Sequence, residues 1–281
     1  MLHLFPLAAL IFYSTASVAY FRLLGDQRQP VKRARSLLAI GIGFHLIFLG
    51  LELFGYYAPG DIEAPLLLTN GAQSFPVALS SVSFGILAVY LFATLRWSLD
   101  RIGVFVAPLG AIFMFFSGLV FHLTPETSAA RPLNPVLAFH VICWVVSIVF
   151  LGCCFVLSVA VIVKESLLKR KKFTALQRNL PSLNALEALE GVFLRVGLIA
   201  MLLGLFSGLI YGFDSGITNF AKDPRFMWSL VILAIYGALY LARVRHGWRG
   251  TRAAWLNIAG FATLVLSFVG VTLMGGGFHV Y

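Results

Sequence analysis

Two histidines carry the chemistry that the sequence can place. His140 stands in Pro135-Val136-Leu137-Ala138-Phe139-His140-Val141, near the start of a long apolar run. His279 stands in Gly275-Gly276-Gly277-Phe278-His279-Val280-Tyr281, just past another such run. Two imidazoles at similar depth can ligate one metal ion or take the two axial positions of a haem iron. The glycines Gly275, Gly276 and Gly277 let a backbone approach a bulky ligand closely. Spacing alone leaves the matter open, since two such histidines also arise by chance. His45 lies midway along an apolar run, in Gly41-Ile42-Gly43-Phe44-His45-Leu46. A titratable side chain at that depth is costly, and it marks either a functional group or a hydrogen bond to a neighbouring helix. His122 closes an apolar run, where an interfacial role and a ligand role are both open. His3 and His246 fall in solvated positions.

A short polar stretch, Phe213-Asp214-Ser215-Gly216-Ile217-Thr218-Asn219-Phe220-Ala221-Lys222-Asp223-Pro224-Arg225, separates two apolar runs. Gly216 and Pro224 punctuate it, so it reads as a loop. Asp223 before Pro224 predicts a helix cap with proline at the first helical position.

The elements that must position these residues are membrane helices. The chain is 60% hydrophobic and only 11% charged, against about 25% charged in a soluble domain. Eight apolar spans are expected, roughly at 4–24, 36–57, 76–97, 103–123, 135–163, 191–213, 226–243 and 253–274, each near the ~20 residues that cross a bilayer. The fifth is expected to continue as a helix into Lys164-Glu165-Ser166. Pro6 and Pro108 are expected to kink their helices. No alternating ten-residue segments of a membrane barrel occur. The fold class is therefore all-α, a single polytopic membrane domain over residues 1–281. The first span begins almost at Met1, without a basic stretch or cleavage site, and reads as a retained helix rather than a signal peptide.

Charge sets the expected topology. Of the 21 Lys and Arg residues, 17 fall in or at the edges of the links after spans one, three, five and seven, and Arg195, just inside span six, makes 18 on that side. Only Arg131, Lys222 and Arg225 fall in the remaining links. The basic links belong in the cytoplasm and both termini outside. His140, His279 and the 214–225 loop then share the outer face. The net charge of +10 follows from this asymmetry, so nucleic acid is not needed to explain it. Lys169 to Lys172 can also touch anionic lipid heads. Cys143, Cys153 and Cys154 lie in one apolar span without a CxxC pair, as small hydrophobes do. No nucleophile–base pair, phosphate loop or zinc motif appears, so no enzyme activity is indicated.

Several stretches together resemble the haem-handling cytochrome c assembly family of membrane proteins, in its short, HemX-like, CcsA-related branch. Residues 80–91 with Phe105-Val106-Ala107-Pro108-Leu109 are similar to the family's third and fourth spans. Phe139-His140-Val141 resembles its outer-facing histidine. Leu180-Pro181-Ser182-Leu183 with Leu186-Glu187 is similar to the entry of its next span. Asp223-Pro224-Arg225, Trp228-Ser229-Leu230, Gly247-Trp248-Arg249-Gly250, Ala253-Ala254-Trp255-Leu256 and Phe278-His279 resemble its C-terminal part. The likeness covers 75–281 and is faint before that. The chain departs from the family pattern in two places. The family's tryptophan-rich outer motif ending in Trp-Asp-Pro is reduced here to Asp223-Pro224 and Trp228, with Phe220 as the remaining loop aromatic. Ala242 stands where full-length synthases carry a histidine, and His45 is the only substitute on offer.

The resemblance implies haem at the outer face of a bacterial inner membrane. His140 and His279 would be axial ligands, with Phe220, Asp223, Trp228 and His45 contributing to the site. Lys222, Arg225 or Arg131 would pair with propionates. The implied role is binding, delivery or export of haem for cytochrome c maturation, alongside other assembly proteins. Two other readings stay open. One is a regulatory or scaffold protein that binds no haem, which the reduced tryptophan motif favours. The other is a small-solute transporter, although no inverted repeat or matched pair of broken helices is visible.

Overall fold

A computed structural model describes residues 4–23, 31–53, 74–97, 99–123, 134–171, 180–216, 220 and 223–273. Among these, eight long helices occur and no strand: α1 (Leu4–Arg22), α2 (Val31–Leu53), α3 (Ser74–Arg96), α4 (Gly103–Leu123), α5 (Pro135–Lys169), α6 (Leu183–Asp214), α7 (Pro224–His246) and α8 (Gly250–Leu273). One 3-10 turn, Asp100–Ile102, precedes α4. Seven of the eight are long and apolar enough to cross a membrane. The eighth expected span coincides with α8 (Gly250–Leu273). Large apolar side chains point outward along the helices, as at Leu7, Ile11 and Val18 of α1 and Leu203, Phe206 and Ile210 of α6. That outward apolar surface suits a lipid solvent, and the polypeptide is a multi-pass membrane protein.

Local chemistry sets the helix ends. Asn134 caps α5, its Oδ1 accepting from the backbone N–H of Val136 at 2.9 Å and of Leu137 at 3.3 Å. Pro135 then takes the first helical position, where no N–H is needed. Ser182 caps α6 through the N–H of Ala185. Gly216, at φ 77°, follows the end of α6 in the left-handed conformation that glycine adopts without strain. α4 runs unbroken through Pro108.

The chain divides into two units. One comprises residues 1–132 and 163–185, the other residues 133–162 and 186–281. In the first unit α1 packs on α2 and α4, and α3 packs on α4 and α2. His45 lies at its centre and is fully buried. Its Nδ1 is 2.9 Å from the Tyr13 hydroxyl and its Nε2 is 2.7 Å from Ser80 Oγ. Ser80 Oγ in turn donates to Met114 Sδ at 3.7 Å. A thioether only accepts, so Ser80 must receive its bond from His45 Nε2–H. Nδ1 then accepts from Tyr13. The chain of bonds has one direction and ties α1, α2, α3 and α4 together, the hydrogen-bonded role that the sequence left open for His45. Replacing Tyr13 by Phe strands Nδ1 inside the unit. We expect a loss of about 1–3 kcal/mol, read as a lower unfolding midpoint in detergent.

In the second unit α5 and α6 run antiparallel along one seam. His140, Trp144, Ser147, Leu151, Cys154 and Ser158 recur on one face of α5 at helical spacing. They meet α6 in reverse order. His140 reaches Gly204, Ser147 Oγ donates to Gly197 O at 2.9 Å, and Cys154 and Ser158 reach Glu190. Small residues on α6 make this close approach possible. A Cβ at Gly197 would stand 2.8 Å from Leu151. α8 packs on α7, and Phe155 of α5 stacks on Phe261 of α8 with ring centroids 4.8 Å apart.

Candidate functional site

His140 sits at one end of the α5–α6 seam, on a run of glycines. Gly204, Gly208 and Gly212 recur every fourth residue of α6, and each faces a ring. A Cβ at Gly204 would stand 3.2 Å from Trp144, and one at Gly208 would stand 2.6 Å from the His140 ring. One at Gly212 would collide with Phe220. Any side chain at Gly208 therefore lifts the imidazole off α6. Trp144 meets the His140 ring edge-on, with centroids 6.3 Å apart.

The tautomer of His140 follows from its partner. Nδ1 lies 2.7 Å from the main-chain oxygen of Gly204. A carbonyl only accepts, so Nδ1 carries the proton. In the neutral ring Nε2 then holds an unshared pair. The ring is half-buried. A partly accessible imidazole of fixed orientation and tautomer is suited to donating Nε2 to a metal centre.

Phe220 is drawn to the same face of α6, one turn beyond His140. Its ring packs against Phe213 at 4.9 Å and Phe226 at 5.5 Å between centroids. Asp223 is buried, its main-chain oxygen accepts from the backbone N–H of Met227 at 3.1 Å, and it stands directly before Pro224 at the first position of α7. This is the predicted cap position. Trp228 lies on the outward face of α7, 41% exposed. His279, Lys222 and Arg131 lie outside the described residues, as does the side chain of Arg225. His45 belongs to the first unit, with both ring nitrogens engaged. His122 lies in the last turn of α4, and His246 ends α7 exposed.

The other end of the seam holds a polar cluster that the sequence reading missed. Glu190 of α6 pairs with Arg243 of α7, their side chains 1% and 13% exposed. Glu190 also accepts from Ser158 Oγ and, at 3.3 Å, from Asn257 Nδ2 of α8. Asn257 Nδ2 lies 2.7 Å from Ser158 Oγ and 2.9 Å from Cys154 Sγ. One turn earlier, Glu187 Oε1 accepts from Gly250 N, the first residue of α8, at 2.9 Å. The cluster ties α5, α6, α7 and α8 together. Ser158 is 18 residues from His140 along α5, or about 27 Å at the helical rise. That is close to the ~30 Å thickness of a bilayer core. The signal for this cluster was the pair Glu187 and Glu190, two carboxylates on one face at the head of an apolar helix.

A family described as cytochrome C assembly protein matches residues 4–279. The chain belongs to the cytochrome c assembly protein family. The match extends the likeness read over 75–281 back to the start of α1 and takes in both units. Among relatives, the cytochrome c biogenesis protein CcsA of Guillardia theta is 25% identical over 224 residues, covering 73% of this chain and 74% of that protein. CcsA of Chlamydomonas reinhardtii is 24% identical over 241 residues, 84% of this chain and 64% of that protein. CcsA of Prochlorococcus marinus (strain MIT 9303) is 32% identical over 103 residues, 37% of this chain and 32% of that protein. The chain thus spans about a third of the Prochlorococcus relative's length. This cytochrome c assembly protein combines a half-buried histidine of α5, set against the glycines of α6, with a buried ion pair at the other end of the same seam.

Proposed function

We propose that this chain is a haem-handling protein of cytochrome c maturation in a bacterial inner membrane, with its basic links in the cytoplasm and both termini outside. The observation that carries the reading is the His140–Gly204 bond. It spends the Nδ1 proton on α6 and leaves the Nε2 pair for iron. The donor chemistry fits haem, because an axial imidazole commonly has its other nitrogen bonded to a carbonyl or carboxylate. Haem supplies an iron with axial positions and a porphyrin with two anionic propionates. Gly208 lets the imidazole lie flat on α6, and Trp144 holds its edge. Lys222 and Arg225 give the neighbouring loop positive charge, which suits propionate pairing. The second axial place is assigned to His279, which the order of the spans puts on the same side as His140. Other assembly proteins are its expected partners.

One observation favours a regulatory role without bound haem. Phe220 packs between Phe213 and Phe226, so the loop's remaining aromatic is engaged within the protein. A maturation assay separates the two. In a host dependent on this chain, His140→Ala is expected to abolish covalent haem staining of c-type cytochromes while the protein itself persists in the membrane. Staining at the wild-type level would favour the regulatory reading.

A further inference from the structure

The carbonyl that orients His140 is shared. Ser207 Oγ donates to Gly204 O at 3.0 Å, the same oxygen that accepts from His140 Nδ1 at 2.7 Å. The helical ladder directs a third donor, the N–H of Gly208, at this oxygen. A carbonyl has two lone pairs for these three donors. The Ser207 hydroxyl and the imidazole N–H therefore compete for electron density at one atom. Ser207 is buried, at 5% exposure, and Gly204 is its hydrogen-bond partner.

We propose that Ser207 is a positioning residue that sets how strongly His140 donates to iron, by competing for the Gly204 carbonyl. The inference rests on the haem reading above. A stronger Nδ1–H···O bond gives the imidazole more imidazolate character, makes it a stronger donor and favours ferric over ferrous iron. The native hydroxyl weakens that bond and so holds the reduction potential up. Gly208 acts on the same bond from the other side. A methyl there pushes the ring away from α6 and lengthens the contact to Gly204.

These two effects have opposite signs, which makes the proposal testable by redox titration of the purified, haem-loaded protein. Ser207→Ala is expected to shift the midpoint potential downward, with the Soret band retained. Gly208→Ala is expected to shift it upward. Ser207→Thr, whose hydroxyl reaches the same helical carbonyl, is expected to restore the wild-type value. A haem-loaded wild type with Ser207→Ala at an unchanged or raised potential overturns the Ser207 proposal and leaves the haem reading standing. A wild type that takes up no haem overturns the haem reading instead. If Gly208→Ala does not fold, Ser207→Ala against Ser207→Thr decides the matter alone, since both keep the helix and differ in the hydroxyl.

Discussion

Arg243→Met is expected to cost about 3–5 kcal/mol of stability, because it leaves a carboxylate inside a helix bundle with no cation. Glu190 is 1% exposed. Its remaining partners, Ser158 and Asn257, are neutral donors. They cannot replace the guanidinium, and lipid offers no water to do so. The reverse change, Glu190→Met, strands Arg243 less severely. Arg243 lies three residues before the end of α7, and its long side chain can turn toward the interface. The asymmetry is part of the prediction. Glu190→Met should cost less than Arg243→Met, and the double variant should recover most of the loss, since a buried ion pair replaced by apolar residues of similar size is often close to neutral. Unfolding in detergent measures all three. An Arg243→Met protein as stable as the wild type would mean that the pair is not buried in the membrane.

Much of this architecture was legible in the sequence, and the exceptions share a cause. The eight apolar runs and the cap position of Asp223 before Pro224 follow from residue type and spacing. α6 was the exception. The apolar run begins near residue 191, whereas the helix begins at Leu183. Leu186-Glu187 reads only as the entry to that span and Glu190 falls just before it, whereas both carboxylates lie in the first turns of α6. Arg243 was read as one more charge fixing topology. Its charge does fall at the cytoplasmic end of the expected topology, but the structure turns its side chain inward to Glu190. Hydropathy finds where a helix is apolar, and a paired charge inside a bundle looks the same as a free charge outside it.

The candidate site shows the same division. His140 was legible as a polar residue near the head of an apolar span. The carbonyl it bonds was not, because main-chain partners leave no trace in residue identity. The glycine spacing 204, 208, 212 was visible in principle. It carries meaning only once Trp144, His140 and Phe220 are known to lie across from it. His45 had two open readings at the sequence level, and its bonds to Tyr13 and Ser80 account for its burial as a hydrogen-bonded residue of the first unit.

His140→Ala is expected to have the largest functional effect, because among the described residues α5 and α6 carry no other histidine. Among the described residues, no cluster of three or more His, Cys, Asp or Glu side chains could hold a metal ion. The change also removes little from the packing. The ring is half-buried and rests on Gly208, so the protein should still fold, and His140→Gly should accept free imidazole in the space left. The most direct test is therefore the absorbance spectrum of the purified protein after haem is added. The wild type should show a Soret band, His140→Ala should show it lost or shifted because only His279 remains as a ligand, and His140→Gly should regain the wild-type band with imidazole. A wild type that stays colourless, or a His140→Ala protein with an unchanged Soret band, would contradict the assignment of His140 as a haem ligand.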